Sequence, residues 1–353
     1  MTTAVLLSGG VDSSVALHLL RDAGAQDLRA YYLKVWLEDE VQAFGGDCPW
    51  EEDVRFARQT CDRLGVPLEI VPLQTEYFDR IVEHVLAELR SGRTPSPDVF
   101  CNRRIKFGAF LERVGADVET VASGHYARVR TGPDGLSRLH RAPDPVKDQT
   151  YFLSQLTQAQ LQRIRFPIGN LTKAEVREKA AAWDLPARDR KDSQGICFLG
   201  KIDYRQFIEF HLGQRPGRIV EIDTERDLGE HRGYWFYTIG QRYGLGLAGG
   251  PWYVVEKQIQ DNVLYVTHGE HRDERSRSCF DTQAPNWIAN APETTALSVK
   301  LRHGPELIAC QIEVTDDDGR MHVELEQSDP GIAPGQHAVL YAGDQCLGGA
   351  LIV

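Results

Sequence analysis

The segment Ala4-Val5-Leu6-Leu7-Ser8-Gly9-Gly10-Val11-Asp12-Ser13-Ser14-Val15 decides how the first half of this chain folds. Its apolar opening predicts a buried strand, Ser-Gly-Gly a tight turn, and the spacing of Val15, Leu17, Leu19 and Leu20 a helix directly after it. Two glycines let a backbone approach an anion closely, and Asp12, Ser13 or Ser14 is expected to cap the helix. Free amides and the dipole at such a helix start favour phosphate or pyrophosphate. The pattern G-x-x-x-x-G-K-[ST] is absent, so the expected cradle is of another kind. An ordinary strand-to-helix turn is the plainer reading of the same residues.

Outward from this segment the pattern alternates. Strand-like runs at 29–35, 68–73 and 118–122 are separated by helical stretches at 12–22, 51–64, 76–90 and 105–114. Such alternation predicts an α/β fold with a doubly wound parallel sheet and ligands at the carboxyl ends of its strands. Thr172 and Glu175 fit a capping box that opens a further helix. After about residue 205 the texture changes to short β-like runs at 216–222, 234–239, 252–257 and 262–267. From about 275 onward, runs at 295–301, 307–314, 320–326, 337–341 and 346–352 predict a small all-β barrel. The expected domains are 1–204, 205–273 and 274–353. Gly244, Gly246 and Gly249 match G-x-G-x-x-G, but Gly250-Pro251-Trp252 interrupts any following helix, so a turn cluster is expected there.

Bulk properties narrow the class. The 353 residues exceed one typical domain, and 42% hydrophobic with 26% charged residues is ordinary globular material. No apolar run approaches the roughly 18 residues of a membrane span, and the N-terminal stretch lacks a signal peptide's basic flank. A cytoplasmic protein without a membrane partner is expected. Seven cysteines without a C-x-x-C pair argue against a disulfide framework or a structural zinc site, and most should be buried. His268 and His271 lack ligand-type neighbours and read as loop residues, so no metal site is assigned. The net charge of −11 opposes nucleic-acid binding by a whole basic surface, yet Arg103, Arg104 and Lys106 form a local basic strip.

Two further segments carry chemistry. In Gly92-Arg-Thr-Pro-Ser96-Pro97-Asp98-Val-Phe-Cys101 the prolines are expected to stiffen a loop and hold off helix. Nearby cations would raise the thiolate fraction of Cys101, although a buried structural cysteine beside solvated arginines fits as well. Cys197 follows a polar, charged, glycine-bearing stretch that predicts an accessible loop. Ser123-Gly124-His125-Tyr126 and Lys147-Asp148-Gln149-Thr150-Tyr151 fit either a nucleotide site or plain loops.

Taken together these pieces resemble the tRNA-specific 2-thiouridylase family. SGGVDSS at 8–14 resembles the PP-loop of enzymes that split ATP between its α and β phosphates. LSGGVDSSV at 7–15, GDCPWEED at 46–53 and GRTPSPDVFCNRRIKF at 92–107 match the family in order. SGHYAR at 123–128, KDQTYFL at 147–153, KDSQGICFLG at 191–200, YTIGQRYGLG at 237–246 and PGQHAVLY at 334–341 continue the match. The resemblance implies a PP-loop domain of the adenine nucleotide alpha hydrolase type, a small central α+β domain and a C-terminal β-barrel. It implies ATP-dependent conversion of the wobble uridine of tRNA to 2-thiouridine, through an adenylated uridine, with release of AMP and pyrophosphate.

By the same resemblance Leu7, Ser8, Gly9, Gly10, Val11, Asp12, Ser13 and Ser14 would hold ATP with its Mg²⁺, and Leu33 and Gly124 would line the adenosine pocket. Ser96, Pro97 and Asp98 would meet the target base, with Asp98 as general acid or base. Cys197 would carry a persulfide and Cys101 would be its partner thiol, the two joined in a transient disulfide. The persulfide would come from a donor protein, a cysteine desulfurase or a sulfur relay. His125, Lys147, Asp148, Gln149, Arg302, His303 and Gln336 would touch tRNA, with the basic strip Arg103, Arg104 and Lys106 beside them.

Three positions depart from the family pattern. Ser96 replaces an Asn, Arg104 stands where an acidic residue is common, and His303 replaces a Tyr. Two other readings stay open on the residues alone: a PP-loop synthetase that adenylates a carboxylate, and a non-catalytic ATP-responsive RNA-binding protein.

Overall fold

A computed structural model describes residues 2–35, 50–191, 203–315 and 319–353. Strand β1 (Thr2–Leu6) lies at the centre of a parallel sheet, because Ala4, Val5 and Leu6 are buried and can face core on both sides. On one side are β2 (Leu28–Lys34) and then β3 (Leu68–Pro72). On the other are β4 (Val118–Ser123) and the short strand Ile164–Arg165. The strand order reverses between β1 and β4, so the crevice at their carboxyl ends is where such a sheet binds ligands. Helices α1 (Val11–Asp22) and α2 (Trp50–Leu64) fill the links after β1 and β2.

Two longer helices each contain a π-type stretch. Gln74–Tyr77, Phe78–Val82 and Glu83–Arg90 run on as α3. Pro97–Cys101, Asn102–Ala109 and Phe110–Val114 run on as α4. The expectation that the prolines delay this helix to residue 105 is corrected: Pro97 opens it. A proline in the first turn loses nothing, since its missing N–H would have no partner inside the helix.

Beyond residue 203 the helix Tyr204–Leu212 leads to a four-stranded sheet in the order Trp252–Gln258, Val263–His268, Gly217–Glu221, Asp227–His231. The run 234–239, expected as a strand, begins instead with a 3₁₀ turn, Tyr234–Phe236. Tyr234 and Trp235 are buried in the core shared with α3 and α4, and this docking overrides their β propensity.

The C-terminal strands Arg277–Thr282, Ala296–Lys300, Ile308–Val314, Met321–Asp329, His337–Ala342 and Gln345–Leu351 form an antiparallel sheet around Val299, Val323, Leu340 and Ile352. A bridge from Thr282 to Ile352 closes it into a barrel. The sequence pattern did not reveal the hairpin of Ala127–Thr131 and Ser137–Arg141, which extends this sheet through Leu139↔Cys346 and His140↔Gln345. Behind the junction Asp148 is fully buried, with Oδ2 accepting from Arg141 Nε and Lys300 Nζ at 3.0 Å each.

Candidate active site

The turn after β1 builds the first half of the site. Gly9 has φ +72°, and a Cβ there would collide with the backbone of Asp53, so only glycine serves. Contrary to expectation, none of Asp12, Ser13 and Ser14 caps α1. The helix starts at Val11, which places all three inside its first turn. The Ser13 and Ser14 hydroxyls turn back and donate to the Gly10 carbonyl at 3.1 and 2.9 Å, and Ser13 Oγ accepts the Ser8 amide at 3.2 Å. The leading amides of α1 are left for an anion.

Gly124 follows β4 on the other side of the crevice. A Cβ there would stand 2.6 Å from the Ser13 amide nitrogen, so its absence lets the two strand ends close together. Asp12 carries the local negative charge. Its Oδ1 accepts from the Tyr126 hydroxyl at 2.7 Å, and Lys173 Nζ donates to both oxygens at 2.8 and 2.9 Å. Arg190 donates to the Gly9 carbonyl and to Asp53 Oδ1, each at 2.8 Å. Burial pushes the Asp53 carboxyl up against those bonds. Leu33 is half-buried near the end of β2. Lys173 and Arg190 escaped the sequence reading because only tertiary packing brings a capped-helix lysine and a basic-run arginine to this turn.

Helix α4 builds the second half. Asp98 and Cys101 are three residues apart and share one helix face. Asn102 Nδ2 pins this turn by donating to the carbonyls of Asp98 and Phe152, both at 3.1 Å. Burial holds the Asp98 carboxyl above its ordinary range, with the Lys106 ammonium opposing. Burial, helped by the same ammonium, holds His125 well below the usual imidazole range. His125 Nδ1 lies 2.8 Å from Ser123 Oγ. Lys106 thus acts on both Asp98 and on His125, the neighbour of Gly124, and links the two halves. The Cys101 side chain is buried beside them.

A cleft of about 550 Å³ opens over the start of α4. Ser96, Pro97 and Asp98 line it together with Arg302, His303 and Gln336 from the C-terminal segment. Tyr204, Arg205, Gln241 and Tyr243 enter from the central segment, and Tyr151 and Phe152 complete the lining. His303 stacks on Phe152 with ring centroids 4.7 Å apart, and its Nε2 lies 3.3 Å from the Asp148 carbonyl. The cleft therefore brings together six of the expected residues from three segments far apart in sequence, 96–98, 302–303 and 336. Tyr204, whose phenol is pushed up by burial and by the Asp98 charge, was not foreseen.

Other residues point elsewhere. The Asp148 carboxylate is occupied by Arg141, Lys300 and Thr150, and Gln149 Oε1 accepts the Tyr126 amide at 2.9 Å. Arg103 donates to Gln155, and Arg104 donates to the Arg80 carbonyl with its guanidinium 4.2 Å from the Phe100 ring centroid. Lys147 is half-buried just before Asp148. Cys197 lies outside the described residues. Among the described residues no group of three or more His, Cys, Asp or Glu side chains could hold a metal, and no helix is long and apolar enough to cross a membrane.

Comparison with known proteins now bears on this geometry. Residues 1–201 match the family described as a tRNA methyl transferase HUP domain, 205–268 a tRNA methyl transferase PRC-barrel domain, and 277–352 an aminomethyltransferase beta-barrel domain. The chain is 46% identical over 360 residues to the tRNA-specific 2-thiouridylase MnmA of Parabacteroides distasonis, covering 100% of this chain and 99% of that one. The chain belongs to the tRNA-specific 2-thiouridylase family. A second thiouridylase, from Porphyromonas gingivalis, is 44% identical over 363 residues, with 100% and 99% covered. The U34-tRNA thiolase NcsA of Methanococcus maripaludis superposes with a TM-score of only 0.35 at 18% identity, covering 60% of this chain and 67% of that one, too loosely to add to the family match.

Proposed function

We propose that this protein uses ATP to convert the wobble uridine of tRNA to 2-thiouridine. The observation that carries the reading is the cleft. It places an acid of raised pKa, Asp98, together with cationic and amide groups from the barrel, and Lys106 and His125 connect it to a phosphate cradle. The full-length similarity to thiouridylases supplies the substrate class. The close packing of Gly9 on Asp53 and of Gly124 on the first turn of α1, with the uncapped start of that helix, suits the triphosphate, with Leu7 to Ser14 around it and Leu33 beside the adenosine. Mg²⁺ bound with the phosphates would offset charge on the departing pyrophosphate.

The uridine 2-oxygen is a poor leaving group, and its attack on the α-phosphate gives adenylated uridine and pyrophosphate. The terminal sulfur of a persulfide on Cys197 then bonds to C2, and AMP leaves with the former oxygen. The Cys101 thiolate attacks the inner sulfur, which releases 2-thiouridine and leaves a Cys101–Cys197 disulfide for an external thiol to reduce. In a variant order Cys101 attacks first and the freed sulfide adds to C2. Asp98, partly desolvated, accepts or returns the proton at the base. To enter the cleft the base leaves its stack, which costs least in a single-stranded loop.

The test combines the full chain, tRNA, ATP, Mg²⁺ and a persulfide-donating cysteine desulfurase, read by nucleoside analysis and AMP formation. Wild type should make 2-thiouridine and AMP, and Cys197→Ser and Cys101→Ser should lose the thiolated product. AMP without thiolated tRNA would retain the adenylating site and reject the substrate. Thiolation undiminished in Cys197→Ser would reject the persulfide route.

A further inference from the structure

We infer that Tyr243 is a stacking platform for a single-stranded base next to the target uridine. The inference rests on the proposed function and names a specificity element of the same site. Tyr243 is 75% exposed, the most exposed large hydrophobic side chain among the described residues, and it lines the same cleft as Ser96, Pro97 and Asp98. One exposed tyrosine is unremarkable on a protein surface. Its setting is not.

The turn that presents the ring is fixed. Gln241 Oε1 accepts the Thr238 amide at 3.0 Å and its Nε2 donates to the Tyr243 carbonyl at 2.8 Å. Gly240 and Gly244 have φ +82° and +84°, conformations that an L side chain rarely adopts, on either side of the ring. The Gly240 amide donates to the Val254 carbonyl at 2.8 Å, and the Val254 amide donates to the Gln241 carbonyl at 3.0 Å, so the turn is tied to the central sheet. An aromatic side chain presented from a fixed turn spares its partner the cost of ordering that backbone.

The charges around the ring choose the partner. The Arg242 guanidinium lies 5.3 Å from the ring centroid, and exposed Arg205 and Arg302 line the same cleft. A planar π surface among arginines suits a nucleobase attached to phosphates, and single-stranded nucleic acid is commonly bound through such stacking. A protein partner with an acidic patch would use the arginines and leave the ring wet. The target uridine occupies the wall at Asp98, so a flanking nucleotide of the same strand reaches the lip at Tyr243.

The test uses an anticodon stem-loop RNA with 2-aminopurine beside the target uridine, on either side in separate molecules. On wild type one of the two should be quenched on binding. Tyr243→Phe and Tyr243→Trp should keep the quench. Tyr243→Leu, of similar bulk but without a π face, should lose it and bind about 10- to 100-fold more weakly. Circular dichroism of the Leu variant checks its fold, which an exposed position should preserve. Quenching retained in Tyr243→Leu, or absent at both positions in wild type with RNA bound, would overturn the inference. A wild type that binds no RNA would instead overturn the functional reading on which the inference stands.

Discussion

Asp98 puts a desolvated carboxyl group in the lining of the cleft. Its folded pKa is raised by burial, so the stability it contributes is fully present below the unfolded value and is lost as pH rises through the folded value. At neutral pH the charge is therefore a burden on the fold. Asp98→Asn should raise the thermal midpoint at pH 7.5 while lowering thiolation about 10²- to 10⁴-fold, the usual worth of a positioned acid–base group. Equal midpoints in the two proteins would remove burial as the cause of the shift. The identities of Asp98 and Cys101 were legible because their motif is compact. Lys173 and Arg190 beside the turn after β1, and Tyr204 in the cleft, were not, since each gains its place only through packing.

Among the elements, the crevice between β1 and β4 depends on two glycines. Gly124→Ala would push a methyl group against the first turn of α1, a strain of about 1–3 kcal/mol. Affinity for a non-hydrolysable ATP analogue, measured by calorimetry, should fall about tenfold or more while the sheet stays intact. Unchanged affinity would show that β4 can retreat without harm to the cradle. The parallel sheet was readable because its strands are apolar runs separated by periodic helices. The start of α4 was misread because Pro97 carries opposite meanings at the front of a helix and within it. The segment at 234–239 was misread because aromatic side chains that anchor a turn look, in one dimension, like those of a strand.

At the scale of the molecule, acid should loosen the protein through its buried histidines. His84, His125, His140, His231, His303 and His337 all have folded values lowered, chiefly by burial, that of His337 to about 4. The unfolded chain takes up their protons near pH 6.5 and the folded chain resists, so stability is lost as pH falls from there. Thermal midpoints should drop steadily between pH 7 and 5, and a flat profile would contradict this. The buried pair across the junction gives a second test. Lys300→Met leaves Asp148 with Arg141 as its one buried cationic partner among the described residues, and should cost up to about 3 kcal/mol in denaturant unfolding, partly recovered in Lys300→Met with Asp148→Asn. The hairpin that joins this barrel has a consequence in time. Strand Ser137–Arg141 pairs with Gln345–Leu351, made roughly 200 residues later in the chain. At about 5–20 residues per second, a ribosome exposes that unpaired edge for roughly 10–40 s before its partner exists. Newborn chains are therefore most vulnerable to sticking together during this interval, and slower translation of the second half should lengthen it.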